Sequence, residues 1–168
     1  MLSLLHIENI AVIECSDISF NGGFNVLTGE TGAGKSIVID AISAILGERA
    51  YRDMIRTGTN KASVRAVFSD VPKLEWFDNN GVDYDCETVI QRDIYLDGKN
   101  VCRVNGALVT VSILRQLGLQ LINIHGQHDS ASLLDEDNHL GILDSFAANE
   151  DLRIEYTKSY QLVSDLRH

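Results

Sequence analysis

Residues 29–36 read Gly-Glu-Thr-Gly-Ala-Gly-Lys-Ser and satisfy the pattern G-x-x-x-x-G-K-[ST] at every fixed position. These are the residue types that phosphate binding requires. Glycines let a backbone fold into a nest whose N–H groups converge on phosphate oxygens. A lysine at the position of Lys35 neutralises β- and γ-phosphates, and a hydroxyl at the position of Ser36 takes a place on magnesium. Gly29, Glu30, Thr31, Gly32, Ala33, Gly34, Lys35 and Ser36 are therefore the candidate nucleotide-binding residues, with Ser36 also a candidate metal ligand.

Such a loop binds; it does not cut. Hydrolysis needs a second acid on the metal and a group that positions water. The apolar run Leu119–Ile124 leads into His125-Gly126-Gln127-His128-Asp129, where Gln127 suits a metal- or water-ligand role. Asp129 comes late after that run, and Asp144 sits in a helical pattern that reads as a solvated face. No convincing second metal-binding acid is found in the sequence. His125 and His128 with Asp129 fall short of a normal zinc ligand set, so a polar loop near nucleotide is the stronger reading.

The elements around the loop follow from periodicity. Residues 3–10 and 12–20 alternate near period two, as half-buried antiparallel strands do. Phe24-Asn25-Val26-Leu27-Thr28 reads as a short strand entering the loop. From Lys35 the apolar residues recur at helical spacing to Leu46, and Gly47 closes the helix. Strand, glycine loop and helix are the context the motif needs. Further strands are expected at 62–69, 88–95 and 100–104, the last two joined by an Asp97-Gly98 turn. A short helix at 111–117, a buried strand at 119–124 and a helix near 138–147 complete the first region, 1–149. In 150–168, Leu152, Tyr156, Tyr160, Val163 and Leu166 form one stripe, compatible with a coiled coil or with a plain terminal helix.

Composition narrows the partners. The chain has 168 residues, 45% of them apolar, enough for one full core. No apolar run approaches the roughly 18 residues of a membrane helix, and the N-terminus lacks the pattern of a secretion signal. The cysteines Cys15, Cys86 and Cys102 are far apart and read as reduced thiols. Net charge is -10, and 129–151 contains seven acidic residues and no Lys or Arg. Phosphate backbones attract clustered cations, so charge argues against a free-standing DNA binder.

Two fragments imitate GTPase motifs. Asp78-Asn79-Asn80-Gly81 fits D-x-x-G formally, and Asn60-Lys61-Ala62-Ser63 resembles the guanine-reading motif without its aspartate and in the wrong order. Both read as turns.

The whole pattern resembles the N-terminal half of an ABC-type ATPase head of the SMC family. The carrying residues are Leu5-His6-Ile7-Glu8-Asn9-Ile10, the run Phe24 to Ser36, Asp40-Ala41, Leu46-Gly47-Glu48-Arg49-Ala50, Ile55-Arg56-Thr57-Gly58 and Asn123-Ile124-His125-Gly126-Gln127-His128. The resemblance implies an α/β P-loop NTPase with a mixed sheet whose N-terminal strands are antiparallel. It implies an incomplete head lobe over 1–149 and the start of a coiled-coil helix over 150–168. ATP and Mg2+ would be the cofactors, with Gln127 on the magnesium or the attacking water and Arg56 near the nucleotide or a DNA-facing surface. The signature motif, the Walker B acid and the catalytic glutamate would lie in a C-terminal half that this sequence lacks. Partners would be that half, a second head in a homodimer, and DNA through the full-length protein.

Three functions compete. The first is an ATP-binding half-head acting in DNA double-strand break repair and recombination, cytoplasmic and nucleoid-associated, with hydrolysis left to the complete protein. The second is a self-contained P-loop kinase or GTPase. The third is an interaction module that dimerises through its terminal helix.

Overall fold

The computed structural model describes residues 1–28, 34–122, 124, 139–140, 143–144, 146–147 and 149–166. It divides into two units, Met1–Asn123 and Ile124–His168. In the first, six strands form one sheet: β1 (Leu2–Ile10), β2 (Ile13–Ser19), β3 (Lys61–Phe68), β4 (Thr88–Tyr95), β5 (Asn100–Val104) and β6 (Ala107–Val109), ordered β2-β1-β3-β4-β5-β6. Every pairing among these strands is antiparallel.

Register explains the core. Leu5, Ala66, Ile90 and Val104 stand in one row across β1, β3, β4 and β5, and Ile7, Val64, Arg92 and Cys102 in the next. All eight side chains are buried. Helix α1 (Lys35–Ile45) covers this face with Val38, Ala41, Ala44 and Ile45. Helix α3 (Val111–Leu121) packs beside β5 and buries Leu114, Leu117 and Gly118. Thr110 caps it, its hydroxyl accepting from the Ile113 N–H at 3.3 Å, a bond of the kind whose removal costs about 1 kcal/mol.

The opposite face is polar and closes on Asp93, which is 5% exposed. Ser63 donates to its carboxylate at 2.7 Å, Gln91 at 3.3 Å, and Arg103 and Lys61 pair with it at 3.4 and 3.6 Å. Burial alone would raise the Asp93 pKa. The bonds from Ser63 and Gln91 and the charges of Lys61 and Arg103 outweigh it, and the carboxyl lies below its ordinary value.

Four sequence expectations change. Phe24–Thr28 is not a strand: no described strand pairs with it, and an unpaired strand leaves its backbone groups without partners. Phe24 and Val26 stand 93% and 63% exposed. The strand expected at 119–124 gives way to α3, which runs on through Leu121. Leu114, Leu117, Gly118 and Leu121 keep one helical face, and that period outweighs the short apolar run. Asp78–Asn80 lies in helix α2 (Glu75–Asn80), whose C-cap is Gly81, and Lys61–Ser63 lies in β3. Trp76 of α2 donates its indole N–H to the Ile113 carbonyl at 3.1 Å, anchoring α2 on α3.

In the second unit the described residues include α4 (Glu150–Leu166). Leu152, Tyr156, Tyr160, Val163 and Leu166 are all exposed along it, with the Tyr156 and Tyr160 rings stacked at 6.1 Å. No described helix is long and apolar enough to cross a membrane.

Because the folded Asp93 pKa is depressed, its stabilisation is present above the unfolded value of about 3.9 and is lost as pH falls through the folded value. Asp93→Asn is therefore expected to lower the melting temperature at pH 7, with the gap from wild type closing below about pH 4. Melting curves from pH 7 to pH 2 check this; a gap that stays constant across the range contradicts it.

Candidate nucleotide site

Within the phosphate-loop motif, Gly34, Lys35 and Ser36 are among the described residues; Gly29, Glu30, Thr31, Gly32 and Ala33 lie outside them, as do His125, Gln127, His128 and Asp129. Gly34 is the N-cap of α1 with φ of 126°, a conformation open to glycine and strained for residues with a Cβ. It brings no side chain to cap the helix, and the first turn carries no acidic residue. The first N–H groups of a helix lack intrahelical acceptors and carry the positive end of its dipole. Leaving this end without a carboxylate suits an anion. Lys35 is half-buried and Ser36 exposed.

A cavity of about 290 Å³ opens beside α1. Ile37, Asp40 and Ser43 form one wall, Ile10 and Ala11 of the β1–β2 turn a second, and Arg49, Tyr51, Asp53 and Met54 a third. The Arg49 guanidinium lies over the Tyr51 ring at 5.1 Å from its centroid, a cation–π contact. Ile37 is two residues past Lys35, so the cavity adjoins the phosphate end of the helix. It offers an aromatic face, a cation and two carboxylates, a set that can hold a ring bearing hydrogen-bonding edges.

The β1–β2 turn is strained where it meets the cavity. Asn9 and Ala11 have φ of 56° and 46°, left-handed values uncommon for residues with a Cβ. The segment around Met54 holds it there: the Ala11 N–H donates to the Met54 carbonyl at 2.8 Å and the Arg56 N–H to the Asn9 carbonyl at 2.9 Å. The Arg56 guanidinium donates to the Val12 carbonyl at 2.8 Å. Arg56, expected near nucleotide or DNA, thus spends its side chain on the turn that walls the cavity.

Sequence reasoning missed Arg49, Tyr51 and the strained turn as a group, because the three segments that meet at the cavity are distant in sequence. It also missed Arg92. An arginine at an inward position between Ile90 and Ile94 was the available signal. Among the described residues no group of three or more His, Cys, Asp or Glu is placed to hold a metal ion.

An antiparallel sheet packed on a helix that opens with the Lys35 and Ser36 of a phosphate-loop motif has its counterpart among known families: the family described as AAA domain matches residues 4–161, and the chain belongs to it. Within that class the likeness is to a repair protein. The chain is 48% identical over 154 residues to DNA repair protein RecN of Bacillus subtilis (strain 168), covering 89% of this chain and 27% of that protein. The chain thus spans little more than a quarter of that relative's length. Among solved structures, the Smc head domain with a coiled coil and joint from Pyrococcus yayanosii matches 99% of this chain and 37% of that one, with TM-score 0.66 and 23% identity. A structure from work on ATP-driven dimerization and DNA-stimulated activation of SMC ATPases matches 80% of this chain and 90% of that one, with TM-score 0.63 and 24% identity. The fold is that of an SMC-type head, and the family resemblance read from the sequence narrows to RecN.

Charge-assisted bonds to a phosphate are worth about 1.5–3 kcal/mol. Lys35→Ala should therefore weaken nucleoside triphosphate binding about 10- to 100-fold with little change in melting temperature. Ser36→Ala should abolish the difference between binding in magnesium and in EDTA. Calorimetric titration checks both, and unchanged affinity in Lys35→Ala contradicts the site.

Proposed function

We propose that this chain is the ATP-binding N-terminal part of a RecN-like ATPase of the SMC family, acting, in the complete protein, in DNA double-strand break repair and recombination. The observation that carries the reading is the phosphate-loop motif at the uncapped start of α1, beside a cavity able to take a nucleoside. In this account residues 29–36 wrap the phosphates, Lys35 neutralises the β- and γ-groups and Ser36 contributes a ligand to Mg2+. Asp40, Arg49, Tyr51 and the Ile10–Ala11 turn receive the nucleoside, with Arg56 holding that turn in place. Gln127 completes the metal shell or orients the attacking water.

Hydrolysis belongs to the complete protein. The relative's greater length supports this, as does the absence of a second metal-binding acid in the sequence. The exposed Phe24, Val26 and Leu27 are suited to cover by the C-terminal half of the same head, since an apolar segment next to the phosphate loop gains by burial and by strand pairing. The exposed stripe of α4 fits the first arm of a coiled coil. A second head would close over the nucleotide, as the ATP-driven dimerization named for the solved SMC relative supports. DNA would be met by the full-length protein in the cytoplasm at the nucleoid, a placement consistent with the acidic charge of this part alone. The kinase and GTPase readings lose support, because the two GTPase-like fragments lie in α2 and β3.

A nucleotide panel tests the proposal. The chain should bind Mg-ATP weakly and with clear preference over Mg-GTP, and should phosphorylate no small acceptor. Tight GTP preference or phosphoryl transfer to an acceptor would sink it.

A further inference from the structure

Arg92 is the one buried cation among the described residues, 2% exposed in the middle of β4. Its Nη1 donates to the Ala44 carbonyl at 2.7 Å and to the Glu48 carbonyl at 2.6 Å, and its Nε donates to the Asn100 side-chain oxygen at 3.1 Å. Ala44 lies in the last turn of α1, the phosphate-loop helix, and Glu48 just beyond it. The guanidinium therefore grips the carbonyl end of that helix, where the dipole favours a cation. Burial lowers the Arg92 pKa, but a guanidinium retains its charge in proteins.

The same helix end is held from two more sides. Gly47 adopts φ of 88°, and the chain there closes as a Schellman turn: Gly47 N–H to Ala44 carbonyl, Glu48 N–H to Ser43 carbonyl, both 3.1 Å. Helix α3 crosses at this point with no room for a side chain between. A Cβ on Gly118 would run into the Leu46 carbonyl oxygen, and one on Gly47 would lie 2.5 Å from the Arg115 backbone nitrogen. Arg115 pairs with the Glu48 carboxylate at 3.2 Å.

Gly34 offers no side-chain cap, and the face of α1 on the sheet includes two alanines, Ala41 and Ala44, too small to interlock deeply. A helix of 11 residues is a rod of about 16 Å, and its direction is set where it is gripped. We infer that Arg92 is a positioning residue for nucleotide binding: by clamping residues 44–48 to the sheet, it aims the first turn of α1 and Lys35 at the phosphates. The inference rests on the phosphate-site reading and adds to it a remote determinant of affinity. The same clamp fixes the exit of α1 toward Arg49 and Tyr51, which line the cavity.

The test separates aim from stability. Met fills much of the volume of Arg but leaves the Ala44 and Glu48 carbonyls without this donor, so some loss of stability accompanies the loss of the clamp. Measured well below its melting temperature, Arg92→Met should lose about 10-fold in Mg-ATP affinity and exchange the amides of residues 38–41, whose helical bonds begin with Val38 to Gly34, about 10-fold faster. Arg92→Lys, which can still donate to both carbonyls, should restore affinity to within about threefold. Ile90→Val, a core change two residues away on the same face, should lower the melting temperature and leave affinity and the exchange of these amides unchanged. Should Arg92→Met fail to fold, Asn100→Ala takes its place: it removes only the Nε partner, and about a threefold loss of affinity is expected. Wild-type affinity and exchange in Arg92→Met (or in Asn100→Ala if that is used), or an equal affinity loss in Ile90→Val, overturns the inference. A wild-type chain that binds no Mg-ATP refutes the phosphate-site reading, and the exchange comparison alone then decides the role of Arg92.

Discussion

A helix that presents its free N–H groups to a phosphate cannot also be tied down by a capping side chain at that end. Gly34 brings no side-chain cap to α1, and the helix is held along its flank and at its far end. The antiparallel sheet supplies the flank, with rows of Leu, Ile, Val and Ala lying under Val38, Ala41, Ala44 and Ile45. Arg92, the Gly47 turn and the Gly118 crossing supply the far end. The cavity beside α1 follows from the same arrangement, since the chain leaving the clamped end folds back through Tyr51 and Met54 to meet the β1–β2 turn.

Much of this frame was legible in the sequence because it is local. Period-two alternation located β1 through β5 within a residue or two, Asp97-Gly98 marked the β4–β5 hairpin, and helical spacing closed by Gly47 marked α1. What escaped was set by partners distant in the chain. Phe24–Thr28 has the composition of a strand and, among the described residues, no strand pairs with it. Leu119–Leu121 was absorbed into α3 because the face of Leu114, Leu117 and Gly118 continues through it. Arg92 was visible as an arginine in a core register, but its partners, the carbonyls of Ala44 and Glu48, lie more than forty residues away. The site divides likewise: Lys35 and Ser36 were found by motif, whereas the cavity walls come from three separate segments.

In the proposed function, these features belong to a site that holds a nucleotide and takes its remaining catalytic groups from the complete protein. Lys35, Ser36 and the cavity walls fall between Ile10 and Met54. The exposed apolar segment and the exposed helix α4 are the surfaces through which the proposed missing parts would join. The acidic balance of the chain accords with the proposed function, in which contact with DNA is left to the complete protein.

The central claim is that the chain binds ATP but acquires turnover from residues it does not contain. Steady-state ATP hydrolysis should be compared for this chain alone and for the same chain joined to the C-terminal remainder of Bacillus subtilis RecN. The account predicts negligible turnover by the chain alone and turnover in the joined protein that Lys35→Ala abolishes. Equal turnover in both, lost on Lys35→Ala in the isolated chain, would contradict it.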